Sequence, residues 1–249
     1  MTIASIITPS YNSSKYIIDT INSVKNQTFQ EWEMIIVDDC SKDNSREIIQ
    51  EEANKDNRIK LMKLKQNSGA AVARNTAIKN ASGKYIAFLD SDDIWHPEKL
   101  EKQIKFMEEN DYAFTYTKYQ LMDQDGKLLD RTIDIPNEID YHGLLKNTII
   151  GCLTVVINKE KTGEFSMPEI RTRQDFALWL KILKRGYKAH GLPEVLANYR
   201  LVPNSISSNK VKAAKQTWKV YREVEGLGFF YSLICFTGYA WNAVKKTYL

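Results

Sequence analysis

Tyr85-Ile-Ala-Phe-Leu89 runs straight into Asp90-Ser-Asp-Asp93. A short apolar run bounded by polar residues is the pattern of a strand buried on both faces, and such strands build parallel sheets. In open α/β sheets the carboxyl ends of the strands are where ligands bind, and here that end carries three acids. The same punctuation recurs upstream. Ile3–Thr8 reads as a strand closed by Pro9-Ser-Tyr-Asn12, Met34–Val37 as a strand ending in Asp38-Asp39, and Ile59–Leu64 as a third. Between them the spacing predicts a helix over Ser14–Val24, a helix bearing Ile48 and Ile49 with Ser41 or Asp43 as its cap, and a small-residue helix over Ala70–Ala81. A β-α-β-α-β-α-β order implies a mostly parallel sheet with right-handed crossovers, flanked by helices. Any one polar cluster reads equally as a turn cap. Three on one edge read as a site.

Beyond Asp93 the alternation loosens. The pattern predicts a helix over Glu98–Glu109, strands over Tyr112–Met122, Leu153–Ile157 and Val195–Leu201, and an amphipathic helix over Gln174–Lys184. Asp123-Gln-Asp-Gly126 reads as a hairpin turn in preference to a calcium loop. No repeat or Gly/Ser/Pro linker divides the 249 residues, and a chain 43% hydrophobic and 27% charged is not a disordered one. A net charge of +4 is too small to argue for nucleic acid. The basic excess lies in residues 209–249, where seven Lys and Arg face only Glu223 and Glu225. We therefore divide the chain into an α/β domain, 1–208, and a basic, aromatic C-terminal helical tail, 209–249. Cys40, Cys152 and Cys235 are far apart and odd in number, which argues against a disulfide framework or a zinc site. The start, Met-Thr-Ile-Ala-Ser-Ile-Ile, has no basic region of a secretory leader, so a cytoplasmic location is expected.

Neither G-x-x-x-x-G-K-[ST] nor G-x-G-x-x-G is present, so the usual glycine cradles for phosphate are missing. A nucleotide is then best held through a divalent metal bridging carboxylates and a diphosphate. Mg2+ and Mn2+ take oxygen ligands of this kind. Crowding the acids of Asp90-Ser-Asp-Asp93 is costly without a cation, so metal or ribose binding is the expected use of this loop.

Five motifs in order carry a resemblance: Thr-Pro-Ser-Tyr-Asn (8–12), Val-Asp-Asp (37–39), Asn67-Ser-Gly69 with Ala73-Arg74-Asn75, Phe-Leu-Asp-Ser-Asp-Asp (88–93) and Arg-Gln-Asp-Phe-Ala-Leu-Trp (173–179). Over about residues 3–205 the chain resembles the family 2 glycosyltransferases, inverting nucleotide-sugar enzymes with the GT-A fold. The resemblance implies that Pro9, Tyr11 and Asn12 lie against base and ribose. It puts Asp39 on the base, Arg74 near base and diphosphate, and Asp90 on the ribose side. Asp92 becomes the direct ligand of Mn2+ or Mg2+, and Asp175 the catalytic base. Asn67 and Ser91 fall inside the matching motifs and are expected among the nucleotide-sugar contacts.

The residues suit these roles chemically. A carboxylate accepts from a pyrimidine edge or from ribose hydroxyls, and inverting transfer is one displacement needing one base. Plainer readings stand beside them: Asp38 as a turn cap, Tyr11 as a packed aromatic, Arg74 in a surface ion pair, and Asp175 as an acid favouring a helix N-terminus. Two departures from the family pattern are visible. Gln174 stands where Glu is frequent, leaving Asp175 as the only base there. Val202 and Pro203 stand where a His often follows the Tyr199-Arg200 pair. His96, His142 and His190 form no metal triad, and His96 reads best as a solvated loop residue.

The resemblance further implies a UDP-sugar donor and a glycan or lipid-linked sugar acceptor in surface polysaccharide or lipopolysaccharide synthesis. A nucleotidyltransferase or a non-catalytic sugar-nucleotide-binding subunit are the rivals, and an oligomer is compatible. In the tail, Phe229–Val244 is marginal in length for crossing a bilayer. Its aromatics, with Lys245-Lys246 and Lys210, Lys212, Lys215, Lys219 and Arg222, suit a helix at an anionic membrane surface at the inner face of the cell membrane. A helix packed on the catalytic domain or on a second copy is the other reading.

Overall fold

The computed structural model describes residues 2–202 and 210–248, excepting the side chains of 210 and 245–248. The proposed 208/209 boundary and the segment from Pro203 to Ser205 lie outside the described residues. Strands β1 (Ala4–Ser10), β2 (Trp32–Asp38), β3 (Ile59–Lys63) and β4 (Tyr85–Phe88) pair in parallel in the order β3-β2-β1-β4. Helices α1 (Ile17–Lys25), α2 (Ser45–Lys55) and α3 (Ala70–Lys79) make the crossovers. Ile6, Ile7, Ile35, Ile36, Val37, Ile86 and Phe88 have no exposed surface, as continuous apolar strands covered on both faces require. α1 starts at Ile17, after a turn in which the Tyr16 and Ile17 amides donate to Ser13 O. At the next helix start Asp43 does the capping, its carboxylate accepting the Ser45 amide at 3.1 Å. Ser41 instead accepts the Asn12 amide.

The second half comprises β5 (Ile94–Trp95), α4 (Lys99–Glu109), β6 (Phe114–Met122), β7 (Leu128–Ile133), β8 (Glu138–Ile139), α5 (Tyr141–Leu145), β9 (Val156–Asn158), α6 (Lys159–Thr162), α7 (Gln174–Leu183), β10 (Ala189–Arg200), α8 (Lys210–Lys219) and α9 (Phe229–Tyr248). It extends the sheet to β3-β2-β1-β4-β9-β6-β10-β5, with β7 on β6 and β8 on β10. β9 runs antiparallel to both β4 and β6, so the parallel character belongs to the first half and to the β6–β10 pair. The strand expected over Leu153–Ile157 is shorter, because Cys152–Thr154 closes into a 3-10 turn on Gly151 O. Conversely β10 begins before Val195. It accommodates Pro193 through register shifts on either side of Val195. Gly191 is required there, since a Cβ would lie 2.3 Å from Pro136 O. Asp123 folds the β6–β7 turn, accepting the Asp125 and Lys127 amides, with Gly126 at φ +86°.

Trp179 of α7 meets Phe88 and Phe114 edge-on, both at 5.2 Å, and so fastens α7 to β4 and β6. α8 runs into a π turn, Val220–Val224, and with α9 packs on the core through Val220, Tyr221 and Cys235. Lys99 is wholly buried, with Nζ 2.7 Å from Gln103 Oε1 and 4.3 Å from the Trp95 ring. Burial pushes its pKa down to about 7. The unfolded chain holds this proton up to roughly pH 10. Stability should therefore rise between about pH 7 and about pH 10 as the burial penalty on the charge is relieved. In Lys99→Met that rise should be flattened, as urea unfolding midpoints across the window would show.

Candidate active site

The loops after β1 and β2 are sewn together. Asn12 takes a left-handed backbone, φ +50°. It donates its amide to Ser41 Oγ at 3.0 Å, and its Oδ1 accepts the Lys42 amide at 2.8 Å. Tyr11 is 47% exposed, so it is a rim aromatic with a free face, not a packed one. Pro9, one residue before the end of β1, is half-buried. Asp38 is fully buried as a turn cap, accepting the Ser41 amide and the Arg46 Nε–H at 2.5 Å. Asp39 has an anchoring job of its own: its two carboxylate oxygens accept the Ser68 and Gly69 amides at 2.6 and 2.7 Å. Asn67 adds a bond from Nδ2 to Asp39 O at 3.0 Å. These bonds hold the loop that leads into α3, where Gly69 at φ +91° turns the chain.

The acidic loop lies beside them. Arg74 is 6% exposed and donates from Nη2 to Asp90 Oδ1, so it is a buried partner of the loop and not a surface ion pair. Burial opposes its charge, but Asp90, with Asp175 further, holds its pKa above the ordinary guanidinium value. Burial, with Asp90 adding, pushes Asp92 up to about 6. Asp93, buried deeper beside Asp92, lies well above the usual carboxylate range. Ser91 sits half-buried between them.

Arg200, at the end of β10, had no role in the sequence reading. Buried at 3% exposure, it donates its amide to Asp93 Oδ1 (2.9 Å) and its Nε to Asp92 O (2.7 Å). Its guanidinium also reaches Gln124 O and Asp19, and lies 4.7 Å from the Tyr16 ring. It locks the acidic loop to the far half of the sheet.

Asp175 is half-buried in the first turn of α7, behind Arg173 in a left-handed conformation (φ +65°). The buried thiol of Cys152 marks where the two halves meet. Burial raises its pKa, Arg74 opposes, and the charges of Asp90, Asp175 and Asp93 add to the rise. Asn75, quoted in the Ala73-Arg74-Asn75 motif without a function, clasps the segment before α7. Its Nδ2 donates to Met167 O at 2.9 Å, and its Oδ1 accepts the Met167 amide at 2.7 Å. Asn75→Ala should cost about 1–3 kcal/mol in urea unfolding, because both polar groups of Met167 lose their partner.

Several buried polar atoms around this edge have no partner: Thr8 Oγ1, Arg74 Nε, Asp93 Oδ2, Thr172 Oγ1 and Gln174 Oε1. Orphaned buried groups are costly, and their concentration here fits a site completed by a polar ligand. Among the described residues no three His, Cys, Asp or Glu side chains form a metal cage. What is present is Asp92 with Asp90 beside it, carboxylate oxygens suited to a hard cation that takes its other ligands from substrate phosphate and water. The histidines are engaged elsewhere. His96 bonds Asn198 Oδ1 at 3.0 Å, so it is not a solvated loop residue; His142 bonds Tyr231, and His190 stacks on Tyr112.

The profile described as "Glycosyl transferase family 2" matches residues 5–163. The chain belongs to that family. A Bacillus subtilis (strain 168) glycosyltransferase named for teichuronic acid biosynthesis is 58% identical over 98% of this chain and 97% of its own length. An Escherichia coli UDP-Glc:alpha-D-GlcNAc-diphosphoundecaprenol beta-1,3-glucosyltransferase is 45% identical over 88% of this chain and 85% of its own. Among solved structures, S. aureus TarS residues 1–349 with UDP-GlcNAc superposes with TM-score 0.76 at 23% identity, covering 96% of this chain and 72% of that one. A Pyrobaculum calidifontis mannosyltransferase with GDP-Man and Mn2+ gives 0.71 at 17%, covering 98% and 70%. These two share the GT-A fold with this family 2 glycosyltransferase.

Proposed function

We propose that this glycosyltransferase moves a sugar, with inversion, from a UDP-sugar to a hydroxyl of a lipid-linked glycan acceptor in surface polysaccharide assembly. The observation that carries the reading is the buried Arg74 donating to Asp90 of the acidic loop at the carboxyl edge of the sheet, with the charges of Asp90 and Asp175 both acting on it. A base on one side and a diphosphate cradle on the other is what a single displacement requires. The printed activity of the E. coli relative, a UDP-sugar donor and a diphosphoundecaprenol-linked acceptor, supports the substrate classes. The teichuronic acid relative supports the pathway class.

In this mechanism Tyr11 stacks on the base, with Pro9 and Asn12 shaping the pocket. Asp39 and Asn67 present the loop before α3, and Asp90 with Ser91 accepts from ribose hydroxyls. The Asp175 carboxylate takes the proton of the acceptor hydroxyl as its oxygen attacks the anomeric carbon. The bond from that carbon to the β-phosphate oxygen breaks, and UDP departs with the electron pair. Arg74 faces the charge that develops on the diphosphate. Asp92, with Asp90 beside it, would hold a divalent cation, Mn2+ or Mg2+, which would supply further neutralisation of the diphosphate charge. Acting on a lipid-linked acceptor places the enzyme peripherally at the cytoplasmic face of the membrane.

Purified protein offered a panel of UDP-, GDP- and dTDP-sugars with Mn2+ should release one nucleoside diphosphate, UDP. EDTA and Asp92→Ala should each abolish the release. Release of GDP or dTDP alone would overturn the donor assignment, and turnover indifferent to both EDTA and Asp92→Ala would overturn the metal's role.

A further inference from the structure

α9 has two unlike faces. Inward, Ser232, Cys235 and Tyr239 are buried. Tyr231 Oη bonds His142 at 2.7 Å, Asn242 Nδ2 donates to Lys146 O at 2.9 Å, and Gly238 lets α9 approach Lys146 closely. Outward, Phe230, Leu233, Ile234, Trp241 and Val244 recur at helical spacing as one stripe, with Phe230 80% and Trp241 71% exposed. From Phe230 to Val244 the stripe is about 21 Å long. Scattered exposed apolar residues are ordinary, but a contiguous stripe with two large aromatics marks a surface that is covered in use. No helix among the described residues is long and apolar enough to cross a membrane.

The neighbouring helix says what covers it. α8 is joined to α9 by Trp218, whose ring meets Phe229 and Phe236 at 6.0 and 5.5 Å. By helical spacing Lys215 falls on the Trp218 side of α8, followed around its exposed surface by Lys219 and Lys212, with Arg222 in the π turn beyond. A cationic strip therefore borders the apolar stripe. A second copy docked symmetrically through this face would bring the same cations into its own interface twice. An anionic lipid surface complements both strips at once.

We infer that α9 lies in the plane of an anionic bilayer surface, its Phe230–Val244 stripe among the acyl chains and the α8 cations at the headgroups. The inference rests on the reading of a lipid-linked acceptor and deepens it. Arg173, two residues before Asp175, contacts Tyr239 Oη of α9 at 3.4 Å, and Phe176 meets Tyr221 edge-on. α9 is thus tied to the start of α7 through Arg173, and the π turn before α9 is tied to α7 itself through Phe176.

The full-length protein should co-sediment with phosphatidylglycerol/phosphatidylcholine vesicles, and less so in high salt or with phosphatidylcholine alone. The double variant Phe230→Glu/Trp241→Glu should bind these vesicles about tenfold or more weakly, with UDP release from the donor, measured without acceptor, unchanged. Two results would overturn the docking: wild type that ignores both vesicles, or a double variant that binds as well as wild type. A dimer seen by light scattering that the double variant abolishes, with no vesicle binding, would instead give the face to a second copy and likewise overturn it. Vesicle binding that persists in a protein releasing no nucleotide would overturn the catalytic reading and leave the docking standing.

Discussion

Asp175→Asn is expected to lower kcat by about 10²–10⁴-fold, the range for removing a general base, while UDP-sugar binding measured by calorimetry stays at the wild-type value. The amide keeps the size and the polar contacts of the carboxylate but cannot accept the acceptor's proton. Gln174, immediately before it, cannot replace it: it is an amide, and is itself buried. The helix start should survive, because α7 opens on backbone bonding from the Ala177 amide to Arg173 O and not on the Asp175 side chain. Loss of both binding and transfer would assign Asp175 to the donor pocket. Unchanged transfer would remove it from the chemistry and give the base's role to another group.

Arg200→Ala should damage fold and turnover together. The arginine reaches Asp92 O, Gln124 O and Asp19 from a buried position, and its removal strands the Asp92 carbonyl beside three crowded acids. A cost of about 2–5 kcal/mol in urea unfolding follows from the orphaned buried groups. Donor turnover should fall by about a hundredfold, since a shift of about 1 Å in the loop that presents Asp90 and Asp92 is enough for that. Arg200→Lys keeps the charge but not the fork of donors. It should therefore recover much of the stability and little of the turnover. Equal recovery of both would mean that charge alone, and not the shape of the guanidinium, holds the loop.

How legible these features were depended on where each residue's partners lie. β1, β2 and β4 announce themselves because strands covered on both faces are unbroken apolar runs, and the acidic loop announces itself because three carboxyls follow one of them. β7 is signalled only by the hairpin turn before it: Leu128–Ile133 is mostly exposed, with only Leu129 and Ile133 against the core. β10 was truncated in the reading because Gly191 and Pro193 look like breakers until its register shifts are seen. At the site, Asp90, Asp92 and Asp175 are conspicuous through their own chemistry. Arg200 and Asn75 act on backbone atoms of segments remote in the chain, Asp92 O and both polar groups of Met167, and no local pattern records such a bond. For Asp39 the type and place were readable, but not that Ser68 and Gly69 already occupy its carboxylate.

The pairing of β6 with β10, Thr115 opposite His190 through Met122 opposite Arg200, also bears on the order of assembly. β2 and β3 each find their neighbour after a single helix, whereas β4 reaches back past both to β1, so only the β1–β2–β3 part of the sheet closes short loops. β6 pairs at once with β7 through a hairpin, but its other partner β10 comes much later in the chain, at a larger loop-closure cost. The acidic loop gains its Arg200 clamp only once β10, the last strand in chain order among the described residues, is in place, so the geometry of Asp92 and Asp93 depends on a strand far from them in sequence.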